Sequence, residues 1–246
     1  MARKDPIAHL ARHARLPDTL EREVRALGRA ALGPLRALLL DPAAHGTDDA
    51  SPDVPAENAA LNAALLLATW PGHEADAILL DAFAASPPDS GVQARVSWAL
   101  GLRGPAVVEP LLAYAGTERG LAALDALAMR ARGPDEPPDP RVAALIVALL
   151  AQDPEDGAIQ AAAYRDPALV EPLNAAFDAL FAPAGELGPR AGVLLELLEA
   201  AEACGCTDAT RTLRVHARLA VDVRDTSREV DRLRTVETFL DDVRRG

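Results

Sequence analysis

The chain carries one nine-residue phrase twice, Arg103-Gly-Pro-Ala-Val-Val-Glu-Pro-Leu111 and Arg165-Asp-Pro-Ala-Leu-Val-Glu-Pro-Leu173. The copies start 62 residues apart, twice 31, and recurrence at such a period is the sequence mark of stacked helical hairpins, an α-solenoid. Each copy reads as a turn leading into a helix that carries its second proline in the first turn. A helix loses least by containing proline there, because those amides have no intrahelical acceptor.

Composition agrees with an all-α fold. Half of the 246 residues are apolar but only eight are aromatic, so the core must be built from Ala, Leu and Val, which favours closely packed helices over sheets. No window shows sustained period-2 alternation. Outward from the repeated phrase, helix pairs are expected at 19–29 with 32–40, 57–69 with 74–84, 92–102 with 107–114, 119–131 with 140–151, and 155–164 with 169–181. A sixth unit is expected over 187–203. In the second pair, Leu61, Ala64, Leu65 and Ala68 follow the i, i+3, i+4, i+7 stripe of a buried helix face. The segment Asp41–Ala56, rich in Asp, Pro, Gly and Ala, reads as a long polar loop. The chain is thus read as a single α-solenoid domain over 1–246: an N-terminal capping segment over 1–17, five to six hairpins over 18–205, and a helical cap over 207–246. In that cap Val230, Leu233, Val236, Leu240 and Val243 fall on one stripe after a Thr226/Glu229 capping box. The stripe either seals the array, whose end unit needs one polar outer face, or forms a dimer seam.

The stretch from Gln93 to Leu112 resembles a HEAT repeat of the bacterial kind grouped with phycobilisome-lyase-like repeats. It supplies the Ala99-Leu100-Gly101 phrase that ends a first helix, then Val108-Glu109-Pro110-Leu111 opening a second. Residues 165–173 match the latter half, and 30–39 match loosely around Pro34. The resemblance implies a HEAT-type α-solenoid over about 18–205. It implies no single activity, since such repeats serve scaffolds, chaperones, lyases and DNA repair proteins.

Charge is unevenly placed. Residues 1–36 carry +4, residues 37–206 carry -17 and residues 207–246 carry +1, within a net charge of -12. An acidic body repels the phosphates that a nucleic-acid binder must neutralise. The expected partner is therefore a protein or peptide with basic groups, not nucleic acid. Asp5, His9 and Arg12 interrupt any apolar leader segment, so no secretory signal is expected. No run of about 18 apolar residues reads as a membrane span. Cys204 and Cys206 are too close to staple the fold, and the expected setting is the cytoplasm.

Chemistry-bearing motifs are sparse. His9 and His13 stand four apart without the acidic partner of a zinc motif. His216 has no partner in sequence. Asp48, Asp49 and Asp53 lack the ligand order of a calcium loop. Cys204-Gly-Cys206 reads as a helix-closing turn before a redox pair. No phosphate loop or nucleophile elbow occurs. No catalytic, cofactor or metal site is expected, and the protein reads as more plausibly non-enzymatic. Trp70 and Trp98 read as core anchors, and Trp98→Ala is expected to cost about 3–5 kcal/mol.

In stacked hairpins the second helices line the concave side, so equivalent positions form a ladder. Glu109 and Glu171 share one place in the two copies, as do Arg103 and Arg165 in the preceding turns; Tyr114 and Asp178 are added by helix face. Each Glu equally suits its own helix N-terminus, which favours a carboxylate by about 0.3–1 kcal/mol. The leading expectation is a non-catalytic HEAT-like scaffold or adaptor with an acidic concave surface, monomeric or dimeric through the C-terminal helix. The alternative is a lyase-like or DNA-glycosylase-like enzyme on the same scaffold, which requires an aromatic residue and a carboxylate converging in one pocket.

Overall fold

The computed structural model describes residues 5–45, 53–130, 132–133, 136–181, 190–206 and 210–225. Among them every regular element is helical and none is a strand. No described helix is long and apolar enough to cross a membrane. The expected C-terminal cap helix over 226–245, with its dimer seam, lies outside the described residues, as do Asp48 and Asp49. The chain divides into two compact units, Met1–Pro137 and Pro138–Gly246.

The first unit contains α1 (Asp18–Arg25), α2 (Leu32–Leu39), α3 (Val54–Ala68), α4 (His73–Ala85), α5 (Gly91–Gly101), α6 (Val108–Leu112) and α7 (Gly120–Met129), with 3-10 turns at Ile7–Arg12, Gly28–Ala31, Pro42–Ala44 and Pro105–Val107. One layer runs from the Ile7–Arg12 turn through α3 and α5 to α7, each packed on the next. A second layer is formed by α2, α4 and the turn leading into α6. Alanine makes the first layer possible. Ala59, Ala60, Ala63, Ala64 and Ala68 are buried on α3, and small side chains let helix backbones approach closely at good density. Gly101, the glycine of the Ala-Leu-Gly phrase, has the same purpose: a Cβ there would lie 3.3 Å from the Ala126 carbonyl oxygen on α7. Beside it, the Ser97 hydroxyl donates to Ala122 O at 2.9 Å. The N-terminal turn is fastened by Asn62, 4% exposed, whose amide donates to Leu10 O at 3.1 Å and His13 O at 2.7 Å.

The second unit contains α8 (Pro140–Gln152), α9 (Pro154–Tyr164), α10 (Val170–Phe181), α11 (Ala191–Ala203) and α12 (Thr210–Asp225), with a 3-10 turn at Pro167–Leu169. Here α9 packs on α8 and α11, and α10 packs on α8 and α11. Gly157 is the point of closest approach, where an added Cβ would meet Leu150 backbone atoms at 2.7 Å. Asp153 joins α8 to α9 and caps the latter, its carboxylate accepting from Glu155 N at 3.1 Å and Asp156 N at 3.2 Å.

The repeated phrase folds alike in both units. In each copy the proline opens a 3-10 turn and the helix begins three residues on, at Val108 or Val170. Val107 and Leu111, and likewise Leu169 and Leu173, are at most 1% exposed; burying each such side chain contributes about 1.5–3 kcal/mol. Ala31 and Leu35 repeat this geometry at the start of α2.

Three expected boundaries shift. Helix α6 stops at Leu112, short of Tyr114. Helix α3 begins inside the stretch read as a polar loop, with Asp53 as its N-cap residue and Pro55 in its first turn; proline signals a loop and a helix start alike. Helices α7 and α8, expected as one hairpin, fall in different units, and within its own unit α8 packs on α9.

Candidate functional site

The structure separates the residues that the repeat aligns. Glu109 and Glu171 are both exposed, one residue into α6 and α10. Arg103 and Arg165 are not equivalent. Arg103 has a side chain only 10% exposed and ion-pairs with Asp76 in the first turn of α4. Its guanidinium donates to Leu67 O at 3.1 Å, Ala68 O at 3.2 Å, Trp70 O at 2.5 Å and Gly72 O at 3.0 Å. These carbonyls end α3 and form the bend into α4, so Arg103 supplies donors to a helix C-terminus, where the last carbonyls lack intrahelical ones. Arg165 is exposed and closes α9 in the left-handed conformation, with φ 54°. Tyr114 meets Phe83 edge to face, with centroids 5.1 Å apart. Asp178 pairs with Arg211 of α12 at 3.1 Å. Of the six residues, then, Arg103, Tyr114 and Asp178 make the contacts just described, and Glu109, Glu171 and Arg165 are exposed.

The remaining motifs resolve locally. His9 lies in the N-terminal 3-10 turn and His13 caps it; among the described residues no cluster of three His, Cys, Asp or Glu is placed to hold a metal. Burial pulls the His216 pKa below its ordinary value. Cys204 is buried, its thiol donates to Ala161 O at 3.4 Å, and burial pushes its pKa up. Gly205 then reverses the chain with φ 98°, and Cys206 N bonds Ala201 O at 2.8 Å, the left-handed helix ending that glycine favours. The two tryptophans differ. Trp70 is 6% exposed. Trp98 is only half-buried, with Arg95 stacked 5.5 Å from its ring. A partly exposed ring places the cost of Trp98→Ala at the lower end of the expected range.

A cleft that no sequence motif announced lies in the first unit. It has a volume of about 670 Å³ and is walled by Leu32, Trp70 and Pro71, with Arg25, Arg29, His73 and Glu74 around its mouth. Arg25 lies over the Trp70 ring at 5.6 Å, bonded to Glu21 at 2.8 Å and to the Thr69 hydroxyl at 2.6 Å. Arg29 ion-pairs with Glu74. Two turns further, Arg36 pairs with Asp81 at 2.9 Å, so the 3-10 turn and α2 together present a basic edge to an acidic edge of α4. The Trp70–Gly72 bend lines the cleft too. Gly72 adopts φ 91° and ψ 162°, a region open in practice only to glycine, and Arg103 holds the carbonyls on both sides of Pro71. Trp70 and Glu74 thus supply one aromatic residue and one carboxylate in one cleft, as an enzyme reading requires, but Glu74 is half-exposed and neutralised by Arg29. The signal available in sequence was Trp70-Pro-Gly72, a breaker between two helices; its partner arginines come from helix faces 41 and 45 residues upstream.

Compared with known proteins, the chain matches no family model, no curated protein and no solved structure.

Proposed function

We propose that the protein is a non-catalytic HEAT-like α-solenoid acting in the cytoplasm as a scaffold or adaptor, which holds a basic protein or peptide through exposed carboxylates on its second helices. The observation that carries this reading is the repeated phrase: in both units it buries its apolar pair and leaves the glutamate, Glu109 or Glu171, facing solvent. A unit that repeats its skeleton while presenting the same outward group is the arrangement by which solenoids build extended binding faces. The -17 balance of residues 37–206 attracts basic partners over a range that salt shortens.

The test is a pull-down of nuclease-treated lysate on the parent chain and on the Glu109→Lys, Glu171→Lys double variant, followed by a salt titration of whatever is retained in stoichiometric amount. The expected outcome is a basic protein partner whose affinity falls with salt and drops at least tenfold in the variant. Equal retention by the two chains overturns the assignment of this face.

A further inference from the structure

The cleft of the first unit brings arginines beside apolar side chains. Arg25 and Arg29 stand at its mouth, each paired with one carboxylate, Glu21 and Glu74, in a chain of net charge -12. The two guanidiniums differ in freedom: Arg25 is held over the Trp70 ring by Glu21 and Thr69, whereas the Arg29 side chain is 80% exposed. A guanidinium has five N–H donors in a planar fork. Arg25 directs its Nε at Glu21 and its Nη2 at Thr69, and Arg29 directs its Nη2 at Glu74, so each retains donors suited to a second carboxylate. Leu32, Trp70 and Pro71 line the same cleft with apolar atoms, and its volume of about 670 Å³ falls among those of small-molecule sites, roughly 300–1,000 Å³.

These features select a ligand by exclusion. A neutral apolar molecule leaves the remaining arginine donors unused, and a cation offers them no acceptor. A polyanion such as nucleic acid must lie along a surface that is acidic beyond this cleft. A small monoanion needs only the donors that the two arginines retain. The geometry points to the cleft between α2 and the start of α4 as a binding site for a small organic carboxylate with a flat apolar body. Arg29 and Arg25 receive the carboxylate, and Leu32, Trp70 and Pro71 receive the body. Arg103 is a positioning residue for this site: it lies outside the cleft and fixes the bend that carries Trp70 and Gly72. The site shares no residue with the second-helix carboxylates, so it stands or falls apart from the scaffold reading.

Calorimetric titration of the full chain with 2-naphthoate and with its neutral amide, 2-naphthamide, tests the assignment. Naphthoate is expected to bind one to one and at least about tenfold tighter than the amide, the ratio that one charge-assisted contact of about 1.4 kcal/mol supplies. Arg29→Gln removes an exposed side chain and should erase most of that ratio without moving the melting temperature. Glu109→Lys, Glu171→Lys should leave it intact. Equal affinity for acid and amide, no saturable heat from naphthoate, or a ratio unchanged in Arg29→Gln overturns the site. Gly-Gly-Trp with a free C-terminus binding tenfold tighter than naphthoate also overturns it, by assigning the cleft to a peptide terminus.

Discussion

The two copies of the repeated phrase sit in different units and agree in their apolar residues far better than in their charged ones. Val107 and Leu111 in the first unit correspond to Leu169 and Leu173 in the second, all buried beneath a 3-10 turn that becomes a helix. Yet Arg103 is locked onto four carbonyls and a carboxylate, while Arg165 projects into solvent. The next residue differs too. Asp166 is 7% exposed and caps its turn by accepting from Ala168 N at 3.0 Å, a bond that Gly104 cannot make. Helix α10 then runs twelve residues where α6 has five. Apolar burial tolerates little variation because a core position has one inside. A long charged side chain can reach inward or outward, so its role follows from what happens to end nearby.

The sharpest way to break this comparison is to truncate both arginines. Arg103→Ala leaves the α3 carbonyls and Asp76 without their donor and should cost about 3–5 kcal/mol, as removal of one member of a buried pair does. Arg165→Ala should stay within about 0.5 kcal/mol. Denaturant unfolding of the two variants reads the difference, and equal losses would mean that the copies are equivalent after all. Arg103→Lys should not rescue, because an ammonium is a point charge without the planar fork that spans Trp70 O and Gly72 O.

A second pair of variants tests how tightly each unit packs. Gly157→Ala forces a methyl against Leu150 backbone at 2.7 Å and should cost about 1–3 kcal/mol. Gly101→Ala in the first unit meets its nearest atoms at 3.3 Å, and a smaller loss, within about 1 kcal/mol, is expected. A reversed order in thermal melts would show that the first unit, not the second, holds the more rigid helix crossing.

The smallest effect comes from exchanging the copies. A Cβ on Gly104 meets nothing within 4 Å and the residue has φ -73°, so Gly104→Asp can import the cap that Asp166 provides. The cap and the reduced freedom of the unfolded chain together should raise stability by about 0.5 kcal/mol. A loss instead would show that the first turn resists the side chain for a reason absent from the second.

The sequence by itself carried the helices. Apolar spacing, the prolines and the glycines marked most element ends to within a few residues, because helix starts and stops depend on local backbone chemistry that neighbouring residues spell out. The apolar pair of each repeat was equally legible, since burial follows helical period. Where a proline serves either a loop or a first turn, as at Pro55, local signals were ambiguous.

Only the tertiary structure decided what the charged residues and aromatics do. Nothing in residues 103–111 says that the α3 carbonyls and Asp76 converge on Arg103, and nothing near Trp70 says that Arg25 and Arg29 close over it. Those partners lie 27 to 45 residues away in the chain, on helices whose order of packing no local pattern contains. Sequence fixes which faces must be buried through the hydrophobic effect, which is non-directional; hydrogen bonds and ion pairs are directional and short-ranged, so they exist only once packing has brought their members together.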